Sequence, residues 1–187
     1  MQFGGDDFAI DDISLITVKA VNEAPSFTLK GDQTVAEDAG SQTVSSFLTA
    51  ASPGPSNESG QTLTLSVSND NAGLFEEQPA IDLNTGELTY TPGTNANGQA
   101  TVTVILTDNG SNDAPHENSL TKTFLITIQA VNDKPNFTKG ADQTVAEDAG
   151  SQTVDGWATD ISAGPANESN QTLTFNTSTD NDGLFSV

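Results

Sequence analysis

Of the side chains able to do chemistry, this chain carries 26 aspartates and glutamates, one histidine and no cysteine. Carboxylates on their own act in two ways: as acid–base or nucleophile pairs, or as oxygen ligands for hard divalent cations. The first role needs two acids held in a cleft. Adjacent acids such as Asp11-Asp12 supply carboxylates, but no flanking sequence builds a cleft around them. His116 stands in the polar loop Asp113-Ala114-Pro115-His116-Glu117-Asn118 with no nucleophile motif beside it, and reads as a surface residue. The chain is therefore expected not to be an enzyme. The second role needs acids from separate segments to converge, so their positions matter more than their number.

Against five lysines and arginines, the acids leave a formal charge of −21. Such a balance argues against nucleic acid or an anionic membrane as partner. A solvated acidic surface accounts for the charge, and so do carboxylates gathered by divalent cations. No stretch approaches the roughly 18–20 apolar residues of a membrane span, so no membrane insertion is expected. Met1-Gln2-Phe3-Gly4-Gly5 lacks the basic and apolar runs of a secretory signal, so an export signal is expected outside this segment. Without cysteine, no disulfide contributes and the redox compartment is not indicated.

The elements that must position the acids come in copies. Asp32–Val44 reads DQTVAEDAGSQTV and returns unchanged as Asp142–Val154, a shift of 142 − 32 = 110 residues. The shift holds without a gap from 21–77 onto 131–187, so each period is one unit of an array. Three parts follow: 1–21 as the terminal strand of a preceding domain, 22–131 as a complete repeat, and 132–187 as the N-terminal half of a second. The segment is expected to be an excerpt of a longer array. Within the complete repeat, Thr62–Val67, Thr101–Leu106 and Thr121–Ala130 alternate polar and apolar residues as half-buried strands do. Shorter strands are expected at Gln33–Ala36, Gln42–Phe47, Ile81–Leu83 and Glu87–Thr91. Pro53-Gly54-Pro55, Asn84-Thr85-Gly86, Asn97-Gly98 and Asn109-Gly110 mark turns between them. About seven short strands and no helical period predict an all-β fold of tandem antiparallel β-sandwiches with Greek-key connections. Phe27, Phe47, Leu63, Leu65 and Leu74-Phe75 return as Phe137, Trp157, Leu173, Phe175 and Leu184-Phe185, an apolar set read as core, Trp157 included.

Motifs at several points along the repeat carry a resemblance. Ala130-Val131-Asn132-Asp133-Lys134-Pro135 resembles the linker between cadherin-like repeats. Leu74-Phe75 with Ile81-Asp82-Leu83-Asn84-Thr85-Gly86-Glu87-Leu88 resembles their central F…I-D-x-x-T-G run, and Thr107-Asp108-Asn109-Gly110 sits where they carry Ala-x-Asp-x-Gly. Across 13–187 the chain is similar to the bacterial cadherin-like "VNDAP" repeats of large surface adhesins. Upstream, Gly4–Ser14 resembles the closing strand of jelly-roll domains of the MAM type.

The resemblance implies Ca2+ at the junctions between repeats, where side-chain and carbonyl oxygens supply the six to eight ligands a hard cation takes. At the second junction it implies Glu37 from the first repeat, Asn132 and Asp133 from the linker, and Asp160, Asn167 and Glu168 from the next repeat. At the first junction the matching set is Asn22, Glu23, Asn57, Glu58 and Asp108, and Glu147 repeats the role of Glu37 in the second copy. The loop Ser52–Gly60 departs from the family's Asp-x-Asp-x-Gly by carrying one carboxylate, and Tyr90–Asn95 lacks the family's Asp-Arg-Glu acid. A junction of this composition suits fewer ions than the family's three. The implied function is a Ca2+-stiffened extracellular rod or filament for cell-surface adhesion, its partners being neighbouring repeats of the same or like chains. Two alternatives are a carbohydrate-binding module for surface glycans, and a filament subunit in which residues 8–21 of one chain complete the second repeat of another.

Overall fold

The computed structural model describes residues 20–185, and they form an all-β protein whose only helical pieces are single 3-10 turns. In chain order the first repeat holds β1 (Ser26–Leu29), β2 (Gln33–Ala36), β3 (Gln42–Val44), β4 (Leu48–Ser52), β5 (Leu63–Asn69), β6 (Phe75–Ile81), β7 (Leu88–Pro92), β8 (Gly98–Asp108) and β9 (Ser119–Gln129). The second contributes β10 (Asn136–Lys139) and β11 (Ala158–Ser162). One sheet runs β2-β9-β8-β5, a second β3-β7-β6, and β1 pairs with β4. All pairings are antiparallel except β2 with β9. No helix among the described residues is long and apolar enough to cross a membrane.

Period-two alternation explains why these segments are strands. Along β8, Ala100, Val102, Val104 and Leu106 are buried while Thr101, Thr103, Ile105 and Thr107 are half-exposed; Phe124, Ile126 and Ile128 do the same on β9. Their inward faces join Leu88 and Tyr90 of β7, Phe27 and the wholly buried Phe47 in one cluster drawn from both sheets. Phe47 lies against Phe124 with ring centroids 4.6 Å apart. Side chains of this size stabilise by about 1.5–3 kcal/mol each when fully buried.

Some boundaries differ from the sequence expectation. Ile81 ends β6 instead of opening a strand at Ile81–Leu83, because the Asp82 carboxylate accepts the N–H groups of Asn84 and Thr85 and closes a turn. Gln42–Phe47 is strand only to Val44, and Phe47 enters the core from the link to β4. Both β1 and β4 went unread, since SFTL and LTAAS are short and weakly patterned. The expected strand at 8–21 and the MAM-like segment lie outside the described residues, save for Val21 and its neighbour Ala20.

The second copy reproduces the first only where its partners exist. Strands β10 and β11 pair Asn136↔Ser162, Thr138↔Thr159 and Lys139↔Ala158, each 110 residues beyond Ser26↔Ser52, Thr28↔Thr49 and Leu29↔Leu48. A second-copy strand at 171–176, the counterpart of the one expected around Thr62–Val67, does not form. Its counterpart β5 is held by β8, and nothing in 132–185 matches β8. For the same reason Trp157, expected in a core, is 37% exposed where Phe47 is 0% exposed. Phe137 and Phe175 keep an edge-on contact, their centroids 5.2 Å apart, though both are about half exposed.

Candidate metal centre

The parallel pairing of β2 with β9 sets the first component of the second junction. It extends one step past β2, where the Glu37 N–H donates to the Gln129 carbonyl at 2.8 Å. Glu37 is thereby fixed beside the chain leaving β9, and its Oε1 accepts the Val131 N–H at 2.7 Å. Asn97, just before β8, donates Nδ2 to Glu37 Oε2 at 3.3 Å. From the next repeat, 130 residues away, Asn167 Nδ2 approaches both Glu37 oxygens at 3.4 and 3.3 Å. Glu37 is buried to 3% exposure by this enclosure.

The facing component is the loop after β11. Pro165 opens a 3-10 turn over Ala166–Glu168, which aims Glu168 back at the linker. Glu168 Oε1 accepts the Asp133 N–H at 2.7 Å. Gly164 has a φ of +155°, and a Cβ there would collide with Glu168 Oε2, so this position admits only glycine while the carboxylate holds its place. Oε2 of Glu168 and Oδ2 of Asp133 are buried without a hydrogen-bond partner. Burial raises the Asp133 pKa above its ordinary value, and the charges of Glu168, Asp38 and Glu37 raise it further. Three carboxylates thus lie within Coulombic reach of Asp133. Among the described residues the one ion pair is Lys139–Asp142, so no lysine neutralises them.

The first junction repeats the loop geometry. Glu58, in the 3-10 turn Ser56–Glu58, accepts the Glu23 N–H at 3.0 Å, and Gly54 (φ +149°) faces its Oε2 as Gly164 faces that of Glu168. Asn22 is buried here as a peg. Its N–H donates to His116 Nδ1 at 2.7 Å, and its Nδ2 to Asp108 Oδ1 at 3.1 Å and to the Glu117 carbonyl at 2.6 Å. Its Oδ1 accepts from Gln61 Nε2 at 2.7 Å. A hollow of about 260 Å³ adjoins it, lined by Asn57, Glu58, Gln61, Gly110 and His116 among others. Oε2 of Glu58, Oε1 of Gln61 and Oδ2 of Asp108 are buried there without partners.

The structure therefore brings Glu37, Asp133, Asn167 and Glu168 together at one junction, and Asn22, Glu58 and Asp108 at the other, with Asn57 and Glu23 at its rim. It does not bring in Asp160, which sits exposed on β11 instead of in the loop before Gln171; its side chain only accepts from Thr159 at 3.3 Å. Asn132 is exposed, held by Gln171 at 2.9 Å but without the cover that buries Asn22. Glu147 is exposed as well, since the segments that enclose Glu37 have no counterpart around it. No protein-family model matches this chain, and no curated protein matches it in sequence. Among the described residues no three Asp, Glu, His or Cys side chains stand together as a ready metal-binding group. Any cation here must draw on amide and main-chain oxygens beside the acids.

Residues that sequence reasoning missed are Asn97, Gln61 with Gln171, and His116. The glutamines carried a signal: they match at the 110-residue shift, and both donate to the linker asparagine. Nothing marked His116, which is half-buried and accepts the Asn22 N–H instead of lying free on the surface.

Proposed function

We propose that this chain is part of an array of cadherin-like repeats, each an antiparallel Greek-key β-sandwich, whose junctions bind Ca2+ and stiffen an extracellular, adhesive rod. The strand orders β2-β9-β8-β5 and β3-β7-β6 around one core support the sandwich. The observation that carries the function is the convergence of Glu37 and Glu168 on the linker where two repeats join, each accepting a linker N–H, with unpartnered, buried oxygens on Asp133 and Glu168.

A buried carboxylate oxygen without donor or counter-charge is costly, and a hard divalent cation supplies both missing interactions. The residues that would hold it are Glu37, Asp133 and Glu168, with Asn167, Asn132 and linker carbonyls completing the oxygen set. Glu37 belongs to the end of one repeat, Glu168 to the next, and Asp133 to the linker. Without a cation their like charges oppose closure. The Val131 and Asp133 N–H groups keep Glu37 and Glu168 aimed at the linker even so. Bound Ca2+ turns that repulsion into shared ligation across the joint. Sites built this way on extracellular modules are weak, with dissociation constants of about 0.1–1 mM.

Calorimetry and small-angle scattering in Ca2+, in Mg2+ and in chelator test this. At about 100 times its Kd, Ca2+ adds roughly 2.7 kcal/mol to the state that binds it, and the particle lengthens. Identical melting and scattering curves in Ca2+ and chelator would refute it.

A further inference from the structure

The chain contains two Asn-Gly pairs, Asn97-Gly98 and Asn109-Gly110. In such a pair the glycine nitrogen can close a five-membered ring on the asparagine side-chain carbon, because no Cβ obstructs it. The fold treats the two pairs differently. Gly98 opens β8 in register with Ile128, and the Asn97 amide nitrogen, the leaving group, is engaged by Glu37 at 3.3 Å. Asn109 is exposed in the bend just after β8. There the Thr62 N–H donates to Asn109 Oδ1 at 3.0 Å, and the Gly110 N–H donates to Asp108 Oδ1 at 2.8 Å.

We infer that the structure directs spontaneous deamidation to Asn109 and away from Asn97. As the bond from Gly110 N to Asn109 Cγ forms, charge builds on Oδ1, where the Thr62 N–H already points. The Gly110 proton moves along its hydrogen bond to Asp108 and on to solvent. The Cγ–Nδ2 bond then breaks, and ammonia leaves with a proton from water. Water opens the succinimide to aspartate or isoaspartate. Packing keeps the labile pair in place: a Cβ at Gly110 would overlap the side chain of buried Asn22, so no other residue fits. Conversion adds a carboxylate beside Asp108 or, as isoaspartate, lengthens the backbone of the loop that covers Asn22.

The test ages the full chain in chelator at mildly alkaline pH, next to synthetic peptides spanning 93–101 and 105–113. Peptide mapping by mass spectrometry with isoaspartate detection follows both sites. Asn109 in the folded chain is expected to convert at least as fast as in its peptide, and about tenfold faster than Asn97, well short of what a buried catalytic base supplies. Asp108→Asn slows Asn109 while leaving Asn97 unchanged. Slower conversion of Asn109 in the folded chain than in its peptide overturns the inference, whether or not the variant folds. Equal rates at the two sites overturn it as well.

Discussion

Replacing Glu168 by Gln separates the charge of the second junction from its shape. The amide keeps an oxygen for the Asp133 N–H, now held by Glu168 Oε1 at 2.7 Å, and removes the charge carried on the unpartnered Oε2. Exchanging a charge-assisted hydrogen bond for a neutral one costs about 1 kcal/mol. The relieved repulsion works the other way. The charges of Glu168 and Glu37 oppose that of Asp133, and solvent at the part-exposed Asp133 screens the repulsion to a similarly modest size. The two effects nearly cancel, so in chelator the variant melts within a few degrees of the parent. In Ca2+ the balance is lost, because the substitution removes a ligand. If affinity falls a hundredfold, the gain at a fixed concentration drops from about 2.7 to about 0.4 kcal/mol. For a unit of this size that is a Tm rise shrinking from about 10 °C to about 2 °C. Differential scanning calorimetry of both proteins with and without Ca2+ reads the four states. A variant that keeps the full rise would exclude Glu168 as a ligand. A variant several kcal/mol weaker in chelator would show that the charge on Oε2 was compensated after all.

Two further outcomes follow from burial and charge. Asp133 titrates above its ordinary 3.8 in the closed junction, through burial first and the neighbouring carboxylates second. A raised folded-state pKa means the closed form binds its proton more tightly than the open one. In chelator, closure should therefore be weakest at neutral pH and strengthen as pH falls through that raised value. Ca2+ affinity should move the opposite way over the same window, since the proton competes for the ligand; isothermal titration and scattering at pH 7 and at about pH 5 compare the two. The same sign for both would place Asp133 outside the site. In the core, Phe47→Ala should cost about 3–5 kcal/mol in urea unfolding, whereas Trp157→Ala, at a position 37% exposed, should cost under about 1 kcal/mol. Equal costs would mean that Trp157 is buried as Phe47 is.

The strands legible in the sequence were those whose alternation is long: β8 buries every second residue from Ala100 to Asp108, and β9 alternates more exposed with less exposed residues throughout and buries Phe124, Ile126 and Ile128. Segments such as β1 and β4 were not, because four or five residues with mixed patterning are strand only through each other's hydrogen bonds. The candidate site divides the same way. Glu58 and Glu168 fall at one place in each copy, so the repeat exposed them. That Asp160 would stay on its strand, and that Asn97 would close over Glu37, depended on tertiary contacts between distant segments. Trp157 shows the limit of reasoning by copy: its match to Phe47 is sound, but burial belongs to the partners, and these are missing around it.

Glu37 and Glu58, two of the acids that recur at the 110-residue shift, do not share an end of the repeat. Glu37 meets Asn97 and Val131, where β9 finishes, while Glu58 meets Glu23 and lies with Asn22 and Asp108, where the repeat begins. Each unit therefore has two chemically different ends, and on the proposed function a junction pairs the Glu37 end of one with the Glu168-type loop of the next, the ends that the Asn167–Glu37 contact joins. Such a contact is heterologous: it does not close on itself, and repeated along a chain it gives a directional stack and not a symmetric dimer. A free pair of Glu58-type ends would instead set like charges face to face without the enclosing amide groups. On the proposed function, the same carboxylates that could bind a cation would also disfavour the wrong pairing of ends through their like charge.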